Sequence, residues 1–277
     1  MSKQTGVGFG KPAEVSITLL LETIARLREG LEALPDPEGE GFYPGLVAVV
    51  EKRLPALYEA YDAYLADVLA AEGRAVTCSK GCAACCRHFV SSVEPFELIA
   101  LDHFLKSRPD YGGLVVSSYR RAMVYDGIVK GEGDGDEAED RALYRYFLRG
   151  HACSFLNSDG TCGVYDWRPM SCRMFYAESS PRFCAGKALA SSGNKNFQVE
   201  LPQEAEEALA RCSRVLDGLA LSENLFPGLV EVNAAFGRYD EAASSGTPGN
   251  PEAVPAPPKF PAPFSGSSGN TPSPAAS

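Results

Sequence analysis

The chain has 277 residues, 45% of them hydrophobic and 22% charged, enough apolar material for one or two domains with a buried core. Its 36 acidic residues against 26 basic ones leave a net charge of -10, which opposes docking on nucleic acid or anionic lipid. No apolar run approaches the roughly 20 residues of a membrane-spanning helix. Glu14 and Glu22 bracket the apolar cluster at 15–21 with no small-residue cleavage site after it, so no secretory leader is expected. The expected setting is the cytoplasm, where thiols stay reduced and free to take metal instead of pairing as disulfides.

In chain order, apolar residues at Leu20, Ile24, Leu27, Leu31 and Leu34 predict an amphipathic helix from Val15 to Leu34. A longer pattern from Leu46 to Leu69 predicts a second, with Pro55 as a kink and Gly73 as its C-terminal cap. Glu94 to Leu105 reads as a third helix, because Pro95 is tolerated in a first turn. Tyr111 to Val129 and Glu137 to Arg149 supply two more, the latter closed by Gly150. The acidic stretch between them, 131–136, lacks the glycine and terminal Glu spacing of a calcium loop and reads as solvated. Pro202 to Leu219 and Ser222 to Phe236 close the folded part with helical patterns. Nearly half of the 20 prolines follow Ala242, and that composition buries too little surface to offset its ordering entropy. A disordered tail is expected there.

Eight of the nine cysteines fall in two groups, Cys78, Cys82, Cys85 and Cys86, then Cys153, Cys162, Cys172 and Cys184. Short loops around Gly81 let closely spaced thiols turn toward one point, which is how a segment chelates a thiophilic ion or an iron–sulfur cluster. The first group is also too polar for a core element, with Ser79, Lys80, Arg87 and His88 in it. Cys85 and Cys86 are neighbours that point apart in extended backbone, so two ions or one polynuclear cluster suit them better than a single ion. Two four-thiolate sites and a four-iron cluster are both allowed by the count, and thiolate is soft enough for zinc and for iron. Cys212 stands alone in a helical pattern and reads as packing.

Arg74, Lys80 and Arg87 surround the first group, and Arg168, Arg173, Arg182 and Lys187 outnumber Asp166 and Glu178 around the second. Cations concentrated in an acidic chain favour ionised sulfur. Arg168 and Arg173 are therefore candidate donors beside a bound metal or cluster, to sulfur or to a carboxylate such as Glu97. Pro169 biases Arg168 toward extended backbone and so sets the turn that presents Cys172. Tyr165, Trp167 and Phe175 are expected to shield the site. His88 and His151 flank the groups without being needed as ligands, and His103 reads as structural.

The chain resembles the YkgJ-type cysteine-cluster family, a zinc- or iron-chelating domain, over roughly Cys78 to Cys184. The resemblance is carried by Cys78-x3-Cys82-x2-Cys85-Cys86, Glu97, Cys153-Ser-Phe-Leu, Gly160-Thr-Cys162-Gly-Val-Tyr165 and Arg168-Pro169-x2-Cys172-Arg173-x-Phe175. It implies a metal or iron–sulfur site and no particular reaction. The same region is similar to the cysteine region of flagellin lysine N-methylases, which implies protein lysine methylation through an iron–sulfur cluster as an alternative. The triplet Cys78-x3-Cys82-x2-Cys85 also occurs in radical S-adenosylmethionine enzymes. Those enzymes usually carry an aromatic where Ala84 stands, and strands where this chain has helical periodicity.

The expected fold is mainly α, a small helical domain with irregular Cys-rich metal-binding loops. The expected divisions are an N-terminal helical region at 1–73, the cysteine-cluster domain at 74–190, packing helices at 191–241 and the disordered tail at 242–277. The expected function is chelation of zinc or iron, including a 4Fe–4S cluster, with the metal ion as partner and with no nucleic acid or membrane. A zinc-stapled interaction module is the other alternative.

Overall fold

The computed structural model describes residues 14–37, 39, 41–79, 81–133, 135–184 and 192–245, with the backbone alone at 136 and 238–245. Among them are eight α-helices, short 3-10 turns and two three-residue strands, so the fold is mainly α. No helix among the described residues is long and apolar enough to cross a membrane.

Helix α1 (Glu14–Glu32) buries Leu20, Ile24, Leu27 and Leu31, the stripe its spacing predicts, against α2 (Phe42–Ala71). α2 runs 30 residues without a break through Pro55. Pro55 and Glu51 both lie on the exposed side, where the carbonyl that the proline leaves free is hydrated. Gly73 takes φ 62° just past the end of α2. Arg74 N donates to Leu69 O (3.1 Å) and Gly73 N to Ala70 O (3.2 Å), a Schellman arrangement that turns the chain sharply into the first cysteine group.

Helix α3 (Pro95–Lys106) starts with Pro95 in its first turn, and Glu94 N donates to the Glu97 carboxylate (3.3 Å). α4 (Tyr111–Val129) and α5 (Asp136–Leu148) follow and pack on each other. The loop before α5 is less solvated than its composition suggests. Glu132 is largely covered and pairs with Arg141 and Arg145, so α5 supplies two cations that hold the loop down.

A single-turn helix α6 (Met170–Arg173), strand β1 (Phe175–Ala177) and strand β2 (Asn196–Gln198) come next. The strands are antiparallel, with Phe175 opposite Gln198, Tyr176 opposite Phe197 and Ala177 opposite Asn196. α7 (Gln203–Arg214) packs on α1, and α8 (Leu225–Ser245) packs on α3 and α4. α8 continues past Phe236 to Ser245, so residues 242–245 of the expected tail are helical; the rest of it lies outside the described residues, as do Lys80 and Lys187.

One hydrophobic core runs from Leu20 of α1 to Phe236 of α8. At its centre Phe89 stacks on Tyr125 (centroids 3.7 Å apart) and meets Tyr146 edge-on. A buried polar knot ties four helices together. Lys106 Nζ pairs with Asp102 (3.0 Å) and donates to Tyr43 OH (2.9 Å), while Tyr111 OH donates to Asp102 (2.6 Å) and accepts from Asn233 (2.6 Å). The buried charge of Asp102 is thereby both paired and hydrogen-bonded, the condition under which such burial is tolerated.

Candidate metal centre

The first cysteine group hangs from the end of the β ribbon. Thr77 N donates to Ala177 O (2.8 Å) and its hydroxyl reaches Ser179 O (2.6 Å), which fixes the position of Cys78. Gly81 at φ 87° permits the turn in which Cys82 N donates to Ser79 O (2.9 Å). Cys85 to Arg87 then form a 3-10 turn.

The second group is folded over the first. Residues 153–163 make a tight hairpin, in which Asn157 N donates to Thr161 O, Gly163 N donates to Phe155 O and Leu156 pairs with Cys162. Cys153 N donates to Cys86 O (2.7 Å), joining the two groups through the backbone. Gly160 sits at φ 82°, with the place of a Cβ only 3.1 Å from Gly81 O. Any side chain there would be strained in its own backbone and would press on the Gly81 carbonyl. Arg108 at the end of α3 holds the hairpin from the other side by donating to Gly163 O (3.1 Å).

Cys172 lies in α6, its N–H donating to Pro169 O (2.9 Å). Two buried side chains position this turn. Glu97, 1% exposed, accepts from Met170 N (2.8 Å) and from Tyr58 OH (2.9 Å). Arg173, 4% exposed, pairs with Asp62 (2.6 Å), donates to Arg168 O (2.7 Å) and Asp166 O (2.8 Å), and lies over the Tyr58 ring. Tyr58 and Asp62 stand one turn apart on α2, so that helix carries the partners of both. Cys184 ends a 3-10 turn after β1 and its thiol donates to Asn196 Oδ1 (3.4 Å).

The expected Arg–Glu97 pair does not form, because Asp62 takes Arg173 while a phenol and a backbone N–H take Glu97. Tyr165 is 57% exposed and lies under the Arg168 guanidinium (4.7 Å), so it does not shield the cysteines. Trp167 stacks on Phe104 of α3, and Phe175 faces His88, which itself stacks on Phe147 (4.3 Å). Burial lowers the His88 pKa and favours the neutral ring. His103 pairs with Glu51 on α2 (3.0 Å). Arg121 of α4, which the sequence reading missed, donates to Ser154 (2.9 Å) beside Cys153 and offsets negative charge there. It lies too far from the cysteines in sequence to be noticed.

All nine cysteines are free thiols. The Cys86 thiol hydrogen-bonds to Cys85 and, with the Arg168 guanidinium nearby, brings the Cys85 pKa down to about 6, while Cys86 as the donor is pushed far up. Burial pushes Cys153 up to about 11 and Cys172 well above the usual thiol range. No three His, Cys, Asp or Glu side chains among the described residues converge tightly enough to hold an ion as they stand. The chemistry of the set nevertheless suits a thiophilic ion, with soft donors grouped together and cations beside them. Arg168 Nε is buried with no partner among the described residues, and its charge acts on Cys85 and Cys172. A thiolate sulfur there would give that N–H an acceptor.

Residues 77–200 match the family model CxxCxxCC, described as "Putative zinc- or iron-chelating domain". The matched stretch contains all eight grouped cysteines, Glu97, Arg168 and Arg173, and leaves out Cys212. No curated protein and no solved structure matches the chain. Metal-ion binding is the class of function that the match supports.

Cys212 is fully buried in α7, its thiol against Ile24 O of α1 (3.7 Å). Cys212→Ser is expected to keep the full metal content and to cost about 1 kcal/mol, the order expected for burying a hydroxyl, more strongly hydrated than a thiol, where its neighbouring acceptor is the Ile24 carbonyl. Metal analysis beside a melting curve checks both, and loss of metal would bring Cys212 into the site.

Proposed function

We propose that this chain is a thiolate metal-binding protein in which Cys78, Cys82, Cys85, Cys86, Cys153, Cys162, Cys172 and Cys184 hold zinc or iron. The metal then fastens the irregular stretch onto the helical body. The observation that supports this best is the Cys153 N to Cys86 O bond, reinforced by the Gly160–Gly81 packing, because it brings together two thiol groups far apart in the chain. Metal bound across them closes a long loop, and its binding free energy adds to folding free energy. Arg168, with its buried Nε unpartnered among the described residues, is the candidate to donate to sulfur; Arg173 acts by holding the Cys172 turn. When bound, zinc supplies a closed tetrahedral cross-link, whereas iron with sulfide supplies redox chemistry. The similarities to YkgJ-type proteins and to flagellin lysine N-methylases rest on the same cysteine positions and leave a methyl-transfer role as the alternative should the metal be an iron–sulfur cluster.

Anaerobic purification with metal analysis, an absorption spectrum and a melting curve tests the reading. Bound zinc or iron is expected, colourless in the first case and brown with acid-labile sulfide in the second. A strong chelator should lower Tm. A chain that takes no metal on reconstitution, or whose melting is unchanged after complete metal removal, would sink the stapling role.

A further inference from the structure

We propose that the eight thiols form two separate four-sulfur sets, a solvent-facing one of Cys78, Cys82, Cys85 and Cys184 and a core-facing one of Cys86, Cys153, Cys162 and Cys172, each taking its own thiophilic divalent ion. The proposal rests on the metal-binding reading above and deepens it by assigning ligands to ions and a different lability to each ion.

The solvent-facing set is organised by the β ribbon. Ala177 and Asn196 are strand partners. Thr77 is tied to Ala177, which places Cys78 at that end, and the Cys184 thiol is tied to Asn196. The two cysteines come from opposite ends of the matched region and meet at one end of one ribbon. Cys82 follows Cys78 by a single turn, and Cys184 lies in the electrostatic field of Cys78, Cys82 and Cys85. Cys78 and Cys85 are exposed, so water and chelators reach this set.

The core-facing set is organised by the hairpin and α6. Cys153 and Cys162 pack against the hydrophobic core. Cys86 is joined to Cys153 through the backbone, and it feels the charge of Cys153 and Cys162. Cys172, held by the Glu97 and Arg173 contacts, feels the same two and also Cys85, which stands where the two sets adjoin. The seam between the sets is the 3-10 turn. Within it the Cys86 thiol reaches the Cys85 sulfur; Cys85 is the exposed member of the pair and Cys86 the one joined to Cys153 through the backbone, so the two serve different ions even though they are adjacent.

The ions should differ in how fast they leave. The solvent-facing ion is released by opening a turn and a short ribbon, while the core-facing ion is released only when a hairpin packed on the core and the α6 turn both give way. The test loads the full chain anaerobically with Zn2+ and follows its release to 4-(2-pyridylazo)resorcinol. Two ions per chain are expected, leaving in two phases about tenfold or more apart, equivalent to a 1.4 kcal/mol difference in barrier. Cys82→Ser should delete the fast phase, keep one ion and leave Tm almost unchanged. Cys162→Ser should delete the slow phase and lower Tm.

If Cys162→Ser does not fold, Cys78→Ser and Cys184→Ser carry the test, since both must delete the same fast phase and leave the slow one. Zinc that leaves wild type in one phase, or single substitutions in either set that lose all of it at once, would overturn the partition and leave metal binding standing. Wild-type chain that takes no zinc overturns the partition, and one that takes neither zinc nor iron overturns the metal-binding reading with it.

Discussion

Replacing Arg173 with Met should lower stability by about 2–4 kcal/mol, which for a chain of this size is a fall in Tm of roughly 5–15 °C. The side chain is almost wholly covered, and its guanidinium satisfies the carbonyls of Arg168 and Asp166 in the turn that carries Cys172. A methionine fills most of the space and donates nothing, so these carbonyls lose their donor in a crowded site. Asp62 is 51% exposed and rehydrates, which keeps the loss below that of a fully buried pair. Asp62→Asn should therefore cost less than about 1 kcal/mol, and Arg173→Lys should fall between, since an ammonium cannot span the acceptors of the planar fork. Chemical denaturation of the three variants decides it. If Arg173→Met unfolds with the wild type, the turn is held by something other than this residue.

Glu97 should make the wild type lose stability as pH rises from about 4.5 to about 7. Its carboxyl is pushed up to about 7, mainly by burial and further by Glu94, against the Met170 N–H and Tyr58 OH, which favour the ionised form. The native state thus keeps a proton that the unfolded chain has already released. The contribution is fully present below about 4.5 and is lost through about 7, amounting to roughly 3 kcal/mol. Glu97→Gln removes this titration while its carbonyl still accepts from Tyr58 and Met170, at a cost of about 1 kcal/mol for the lost bond from Glu94 N. Between pH 5 and 7.5 the difference between variant and wild type should move by about 2.4 kcal/mol in the variant's favour. Metal loss at low pH affects both proteins and cancels in that difference. Parallel stability–pH curves would mean that Glu97 ionises at its ordinary pH.

The helices were legible where local chemistry marks their ends. Tyr111 to Val129 was read with its observed bounds, and Pro95 fixed the start of α3 because proline suits a first turn. α8 runs past the expected boundary at 242 because Ala242 and Ala243, set in a tail whose composition is otherwise rich in proline and glycine, are good helix formers ahead of its first proline. The three-residue strands are too short to show an alternating pattern.

At the site, spacing showed which cysteines travel together but not what surrounds them. That Asp62 takes Arg173 and Tyr58 takes Glu97 depends on how α2 lies against α3 and α6, which no local pattern encodes. Both α2 residues sit among apolar positions of a helix whose periodicity had already been explained by packing, so neither stood out. Tyr165 was expected to shield because it is aromatic, but its place in an exposed 3-10 turn puts it outside.

The ribbon of β1 and β2 also bears on the order in which the molecule assembles. Paired strands of three residues do not persist alone in water, so this ribbon borrows its order from α2 and the turn that follows it, through Tyr64 OH to Glu200 O (2.9 Å) and through Arg74 lying over Phe197. The α1–α2 and α4–α5 pairs rest on contacts close in sequence and can form early, whereas the ribbon joins segments that must wait for both the α2 surface and residues beyond β2. The local helix pairs are thus expected to form first, and the thiols to be gathered on them later. Metal loading is then expected at the end of folding, when an arriving ion meets thiols already grouped and has only to draw them together, without organising a coil around itself.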